Sequence, residues 1–521
     1  MMSLLASGRR LAGFSWTEGG ADRRSPLRLV ALLGAALGVR LVFFGGLLGW
    51  DDIEYWEAAR ALGAGHYVPT SSFGLRYTLT VPLALGQAWL GEHEWVLSLV
   101  PLAYSMAHLG LAWALGLLCG GRTVATVAVA LLAILPLDVI AATDLHADLP
   151  LAVFLATAVY AVLRGERATR RRWAWFLLAG VALGLGVITK EVALALLAAL
   201  ALRRFGMPGR VDVAAYGWLV GGLLSVTVVE MVWLAVVTGN PLYRYLGPIA
   251  GLHAATVRPL PPGYGWMLGY PGMLLNPLSG SFGYFAGVVY LVVAGTIWGL
   301  RQRASLVAQL GIWWGVLLAL FNFAPLDPSF TRPLFHHFAR TLHPLLIPFV
   351  LTAALWIRQG LHERRRRRLL VLAPVLVLAA LGIVITHADH RSWGAVAREA
   401  APVIDRLPPE TTIVTDPVNA SLLRFFLPAR RDRILTERHA ATAAAEGCVI
   451  ALTDPVFAHD EPAGLSPSPA WDRLVRFDRR PRPSLRAMLH PLLSRRPADA
   501  VDAPPMEASL WQVDRSGCGS R

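Results

Sequence analysis

Apolar runs of membrane-span length recur from Leu27 to Thr386, and few folds are open to a chain built this way. A helix needs about 20 residues to cross a hydrocarbon core. Inside that core each backbone amide must find a partner within the spanning element, which makes helices the outcome here. The runs fall at 27–49, 95–118, 123–142, 149–163, 173–189, 191–202, 213–238, 283–300, 305–324, 341–357 and 369–386. They predict an α-helical polytopic membrane protein with about eleven transmembrane helices, the short run at 191–202 included. Of the 521 residues 55% are hydrophobic and 16% charged, and mean hydropathy is +0.51, too apolar for a soluble protein. Tyr77–Leu90 is also apolar, but Pro82 and its modest length suit a helix lying along the membrane surface. The first run is longer than a signal-peptide core and lacks an evident small-residue cleavage site, so it is expected to remain as an anchor.

Charge tests this threading. With the amino terminus inside, the inner segments hold 22 cations, among them Arg122, Arg164, Arg203, Arg301, Arg358 and the run Arg364 to Arg368. The outer segments hold seven: Arg60, Arg76, Lys190, Arg244, Arg258, Arg332 and Arg340. That asymmetry follows the positive-inside rule. Counting 77–90 as a span would put the Arg164–Arg172 cluster outside. The net charge of +14 therefore reads as topology signals in short loops, not as a nucleic-acid surface. An odd number of crossings leaves the carboxyl-terminal tail outside, as expected of a bacterial inner-membrane protein with a cytoplasmic amino terminus.

From His387 onward no run could span. Thr412–Thr415, Arg433–Thr436 and Cys448–Leu452 read as strands, and Ala420–Phe426 and His439–Glu446 as helices, which predicts a small extracytoplasmic α/β domain. The organisation is then a transmembrane domain over 1–386 and an α/β domain over 387–521. After Asp454 the stretch rich in Pro and Arg reads as loops, with Ser509–Val513 a closing strand. No glycine-rich phosphate loop marks a nucleotide site. Cys448 and Cys518 can pair if the tail is exported, the alternative being a buried, unpaired Cys448.

Ionisable residues gather at the outer end of this threading: Asp51 and Asp52 after the first run, Arg76, then Asp144, His146 and Asp148, then Lys190 with Glu191, then Arg244 and Arg340. Charges at membrane depth are expensive, so their concentration at one end marks a candidate site. Asp51 and Asp52 precede a helix starting near Ile53, where a plain N-cap would also use them. Asp144 and Asp148, four apart, share a helix face, and Asp148 before Pro150 also suits a cap. The Asp-x-His-x-Asp run offers donors for a divalent cation without a complete ligand set, so no cofactor is assigned. Lys190 is the single lysine among 48 basic residues, and its flexible ammonium suits a lipid phosphate. Arg76, Arg244 and Arg340 offer planar donors for the same anion. The run Arg364 to Arg368 is a topology anchor that also attracts anionic lipids.

Taken together, these segments resemble the polytopic glycosyltransferases of the GT-C superfamily, in particular bacterial relatives of protein O-mannosyltransferases and of the aminoarabinose transferase that modifies lipid A. The likeness rests on Asp51 to Arg60, on Phe73–Arg76 through Pro82–Leu83 to Trp89–Gly91, on Asp144 to Leu151, on Gly184 to Lys190, and on Arg340 to Leu345. It covers about the first 360 residues. Two departures stand out: the second member of the acidic pair, commonly Glu, is Asp52, and the first outer loop has Thr80-Val81-Pro82-Leu83 where Lys-Pro-Pro-Leu is often found, which makes Arg76 the substitute cation.

The resemblance implies an inverting enzyme that moves a sugar from a polyprenyl-phosphate donor to an acceptor glycan, lipid or protein on the outer face. Asp51, Asp52 and Asp148 would be the catalytic carboxylates. Asp144, Lys190, Arg76, Arg244 and Arg340 would bind substrate, and negative and positive side chains from distant segments would converge in one hollow. A transporter or lipid flippase would instead place polar groups near the midplane between related halves, and no internal repeat is seen. A non-catalytic scaffold presenting the tail would need no convergence.

Overall fold

The computed structural model describes residues 25–49, 51–206, 213–246, 268–277, 283–324, 337–362, 370, 372–436, 448–454, 472–478 and 507–513. Trp50, Arg258, Arg332, the run Arg364 to Arg368, the helix expected at His439–Glu446 and Cys518 lie outside them. The helices in chain order are α1 (Ser25–Val42), α2 (Asp51–Gly63), α3 (Tyr77–Leu90), α4 (Glu94–Ala133), α5 (Pro136–Ala141), α6 (Asp148–Arg167), α7 (Arg172–Thr189), α8 (Ala195–Gly206), α9 (Val213–Thr238), α10 (Tyr243–Leu246), α11 (Gly269–Leu275), α12 (Val288–Arg301), α13 (Ser305–Phe323), α14 (Leu346–His362), α15 (Leu372–Trp393), α16 (Ala395–Asp405) and α17 (Pro417–Phe426). The strands are β1 (Thr412–Thr415), β2 (Ile434–Thr436), β3 (Val449–Thr453), β4 (Asp472–Asp478) and β5 (Glu507–Gln512). The chain divides into two compact units, one of residues 1–44 and 58–383, the other of residues 45–57 and 384–521.

The first unit is a helical bundle. Among the described residues seven helices are long and apolar enough to cross a membrane: Glu94–Ala133, Asp148–Arg167, Arg172–Thr189, Val213–Thr238, Ser305–Phe323, Ala339–His362 and Leu372–Trp393. This makes the chain a multi-pass membrane protein. Expected run 95–118 and the first half of 123–142 join in α4, whose helical geometry breaks at Gly120 and Gly121, and the rest of the second run forms the separate short helix α5. There the chain folds back on itself, because a Cβ on Gly116 would stand 2.5 Å from the Cα of Ala125. The expected runs at 191–202 and 283–300 yield shorter helices, α8 with 12 residues and α12 with 14.

Burial within this unit sorts the helices. The segment Ala339–His362 is almost wholly buried, whereas α9 turns most of its surface outward, as a lipid-facing helix does. Small residues set the closest packing. A Cβ on Gly180 of α7 would meet the carbonyl oxygen of Leu219 at 1.9 Å, and one on Gly222 of α9 would meet that of Leu177 at 2.4 Å. Backbones that approach this closely gain van der Waals contact where lipid supplies no hydrophobic drive.

The second unit contains a five-stranded sheet in the order β2-β1-β3-β5-β4. β1 lies parallel to β2 and β3, and β5 runs antiparallel to both β3 and β4. β1 (Thr-Ile-Val-Thr) and β3 (Val-Ile-Ala-Leu-Thr) are buried throughout, and their β-branched and apolar residues are the signal that makes them legible in sequence. β4 corrects the loop reading after Asp454: four of the seven residues in its Asp472-Arg473-Leu474-Val475-Arg476-Phe477-Asp478 are charged, as an edge strand with an exposed face can be. Asp416 caps α17 by accepting from the amides of Val418 and Asn419 at 3.0 and 2.9 Å. Cys448 at the foot of β3 is disulfide-bonded, while Cys119 of α4 is a free, buried thiol.

Residues 45–57 pack with the tail in this second unit. Arg398 of α16 donates to the carbonyl of Leu47 at 2.7 Å. Trp56 of α2 meets the Phe425 ring edge-on at 5.2 Å, and the Arg431 guanidinium lies 5.0 Å over the Trp56 ring. Gly49 has φ +95°, and a Cβ there would strike Val418 at 2.7 Å, so glycine is required on both counts.

Candidate active site

In the first unit, α6 begins at Asp148 and α7 ends at Thr189, which brings Lys190 to the start of α6. Lys190 Nζ donates to Asp148 Oδ1 at 2.7 Å. Arg340, in the 3-10 turn Ala339–Leu345 that precedes α14, places Nε 4.0 Å from Asp148 Oδ2 and Nη1 3.1 Å from Nδ1 of His146. Asp148 is 5% exposed, whereas Lys190 and Arg340 are 24% and 33% exposed. Two cations thus reach outward from one buried carboxylate. An anion of suitable size could bind both, because their charge exceeds what Asp148 neutralises. Asp144 is buried in the same turn, between α5 and α6.

Arg244 has a different setting. It is 1% exposed, and its guanidinium is held by Glu230 (Nε to Oε1, 2.9 Å), by Glu191 (Nη1 to Oε1, 2.6 Å) and by the carbonyls of Leu75 and Ile188 at 2.6 and 3.2 Å. It ties α9, the loop before α3 and the end of α7 together, and all three of its nitrogens are already donating. Arg76 lies beside that anchor with its guanidinium 4.7 Å over the Phe73 ring. Thr78 and Thr189 share a hydrogen bond at 2.7 Å, a second tie between α3 and the end of α7.

Asp51 and Asp52 belong to the second unit. Asp52 is 1% exposed, and its carboxylate accepts from the amides of Leu48 and Gly49 ahead of α2. Charged hydrogen bonds of this kind fix a loop strongly. Asp51, the first residue of α2, is half-buried. The two carboxylates, equivalent in sequence, are therefore unlike in setting.

A second polar centre escaped the sequence reading. Asp138 of α5, fully buried, pairs with Arg40 of α1 and accepts from Ser105 Oγ at 2.9 Å, both through Oδ2. Its other oxygen faces Nδ1 of His108 at 2.6 Å and Nε2 of His343 at 3.3 Å. The carboxylate can only accept, so those ring nitrogens carry the protons. Arg40 and His343 were visible as polar residues in apolar text, and that was the available signal.

Among the described residues, His108, Asp138 and His343 also present donor atoms within 4.8 Å of one another, close enough to hold a metal ion. Arg40 already neutralises Asp138, so a divalent ion would leave uncompensated positive charge in a buried place, which is costly. In the Asp144–Asp148 run, Arg340 and Lys190 are the partners of His146 and Asp148.

Residues 80–234 match the family model described as dolichyl-phosphate-mannose-protein mannosyltransferase. The crystal structure of ArnT from Cupriavidus metallidurans in the apo state superposes with a TM-score of 0.60 at 16% identity, covering 96% of this chain and 100% of that one. ArnT from the same organism bound to undecaprenyl phosphate gives 0.57 at 16% identity with the same coverage. At this identity the likeness shows a shared fold. No curated protein matches the chain by sequence. The family match and the shared fold together bear out the GT-C resemblance and the glycosyltransferase class.

Proposed function

We propose that this membrane glycosyltransferase takes a sugar from a polyprenyl-phosphate carrier and passes it, with inversion, to an acceptor hydroxyl or amine on the extracytoplasmic side of a bacterial plasma membrane. One observation supports the donor site above others: Lys190 and Arg340, both partly exposed, flank the buried Asp148. The bound lipid phosphate in the ArnT structure is the kind of ligand such a pair would hold. In this reading Lys190 and Arg340 bind the donor phosphate and stabilise the charge that builds on it as the glycosidic bond breaks, with Arg76 a further cation for it.

Asp51 is the general base. It takes the acceptor proton while the acceptor oxygen or nitrogen attacks the anomeric carbon opposite the departing phosphate. Asp52 shapes the loop that presents Asp51. Asp148 and Asp144 orient the cations and the sugar. Arg244, spent on Glu230, Glu191 and two carbonyls, serves as the clasp that holds the end of α7 to α9 rather than as a phosphate ligand.

Eleven crossings with a cytoplasmic amino terminus would put the region after residue 386 outside. The disulfide at Cys448 supports that side, since disulfides persist in oxidising compartments. The acceptor, whether glycan, lipid or protein, is recognised at the outer face. The test is transfer by protein reconstituted with defined polyprenyl-phosphate sugars: turnover that Asp51→Asn abolishes supports the reading, and no turnover with any such donor sinks it.

A further inference from the structure

The Asp138 centre and the Lys190–Asp148–Arg340 group share two structural elements. Asp138 lies in α5, and the chain leaving α5 runs through Asp144 and His146 to Asp148. His343 and Arg340 lie in the same 3-10 turn, three residues apart, and in that geometry positions i and i+3 stack above one another. His343 reaches Asp138 while Arg340 reaches His146 and Asp148. Both ends of the turn are thus tied to the one segment 138–148.

We infer that Asp138 sets the aim of Arg340 toward the donor phosphate, and that His343 is the positioning residue through which it acts. The inference rests on the proposed reading of Lys190 and Arg340 as phosphate ligands. Three features carry it. Arg40 and Ser105 occupy Oδ2 of Asp138, so Oδ1 is left to the two histidines and cannot swing away. Nδ1 of His343 is buried with no hydrogen-bond partner, so this ring is not placed to satisfy all its own polar atoms, as a purely structural residue would be. Pro344 follows directly and restricts the backbone of His343, so a displacement at His343 is not readily taken up on the α14 side of the turn.

The test is a double-mutant cycle on the full chain in detergent, read as the Kd of a sugar-free polyprenyl phosphate, with polyprenol as the control lacking phosphate. His343→Leu is expected to weaken phosphate binding on the order of tenfold, and the same change made in Arg340→Ala is expected to add less than about twofold, because the two losses are one loss. His343→Gln, whose side-chain amide N–H stands near the position of Nε2–H, is expected to restore binding to within about twofold of wild type. Ser105→Ala, which loosens the other side of Asp138 with little disturbance of packing, is expected to move Kd in the same direction by less; it decides the matter if His343→Leu does not fold. Independent, multiplying losses in the cycle, or unchanged binding in both His343→Leu and Ser105→Ala, overturn the inference while leaving the phosphate site standing. Wild-type protein that does not distinguish polyprenyl phosphate from polyprenol overturns the phosphate site and this inference with it.

Discussion

Lys190 and Asp148, 42 positions apart in the chain, meet at 2.7 Å where α7 ends and α6 begins. The carboxylate is the buried partner and the ammonium the more exposed one. Removing each should therefore have a different effect. Lys190→Ala is expected to weaken polyprenyl-phosphate binding on the order of tenfold, as loss of one charge-assisted contact would. Asp148→Asn leaves both cations and removes the charge that competes with phosphate, so lipid-phosphate binding should hold or tighten while sugar transfer falls. Measuring Kd and turnover on both variants checks this; a loss of binding in Asp148→Asn equal to that in Lys190→Ala would sink the assignment.

The adjacent carboxylates of the first outer segment separate in a similar way. Asp51→Asn is expected to lower turnover about 10²- to 10⁴-fold, the range of general-base contributions, with an unchanged melting temperature. Asp52→Asn deprives the amides of Leu48 and Gly49 of a charged acceptor, so its melting temperature should fall as well. Turnover by purified Asp51→Asn at the wild-type rate would remove its role.

A role for the tail follows from the packing of residues 45–57 within the second unit. Arg398 holds the Leu47 carbonyl, and Phe425 and Arg431 hold Trp56, on either side of Asp51 in the chain. Arg398→Ala should lower kcat several-fold by loosening the base, and the Kd for polyprenyl phosphate should not change. Equal losses in kcat and phosphate affinity would show instead that the substitution disturbs the whole molecule.

Much of this arrangement could be read before any coordinates, and the unread part has a common cause. Apolar runs announce helices because the bilayer requires them, so the runs at α6, α7, α9 and α13 match the helices to within a few residues, whereas α15 continues seven residues past its apolar run. The segments around Asp148, Lys190 and Arg340 were also evident, since charge in apolar text is expensive. Pairing was not evident: Arg40 with Asp138, or His146 with Arg340 across 194 positions, depends on how helices pack. Arg244 shows the limit best. In sequence it is one more outer cation, and the folded chain shows it already engaged by Glu230, buried in the middle of a long apolar helix, and by Glu191. β4 was missed because an edge strand needs no continuous apolar run.

That clasp should be structural in its behaviour. Breaking a buried pair from one side leaves the other charge uncompensated, at a cost of about 3–5 kcal/mol. Glu230→Ala is accordingly expected to lower the melting temperature in detergent more than Glu191→Ala, because Glu191 is 38% exposed and Glu230 5%. Similar shifts for the two variants would contradict the central place given to Glu230.

Acid and base should act on the second unit through Asp416. Its carboxyl is buried, and burial raises its pKa above the ordinary carboxylate range, outweighing the hydrogen bonds from Asn419 that favour the charged form. A raised folded-state pKa means that the native state holds its proton more tightly than the unfolded chain does. Stability from this group is therefore complete below the unfolded carboxylate pKa and is lost as pH rises through the higher folded value. Asp416→Asn should remove that loss. The amide can still cap α17 through its oxygen, and Asn419 can turn over to accept from its new N–H₂, giving up the 3.4 Å contact of its own Nδ2 with Asp454. Melting temperatures of the full chain between mildly acidic and neutral pH should thus fall less steeply for Asp416→Asn than for wild type, with the variant at least as stable at neutral pH. A variant less stable than wild type at neutral pH, with an unchanged pH slope, would show that Asp416 is held there as an ion.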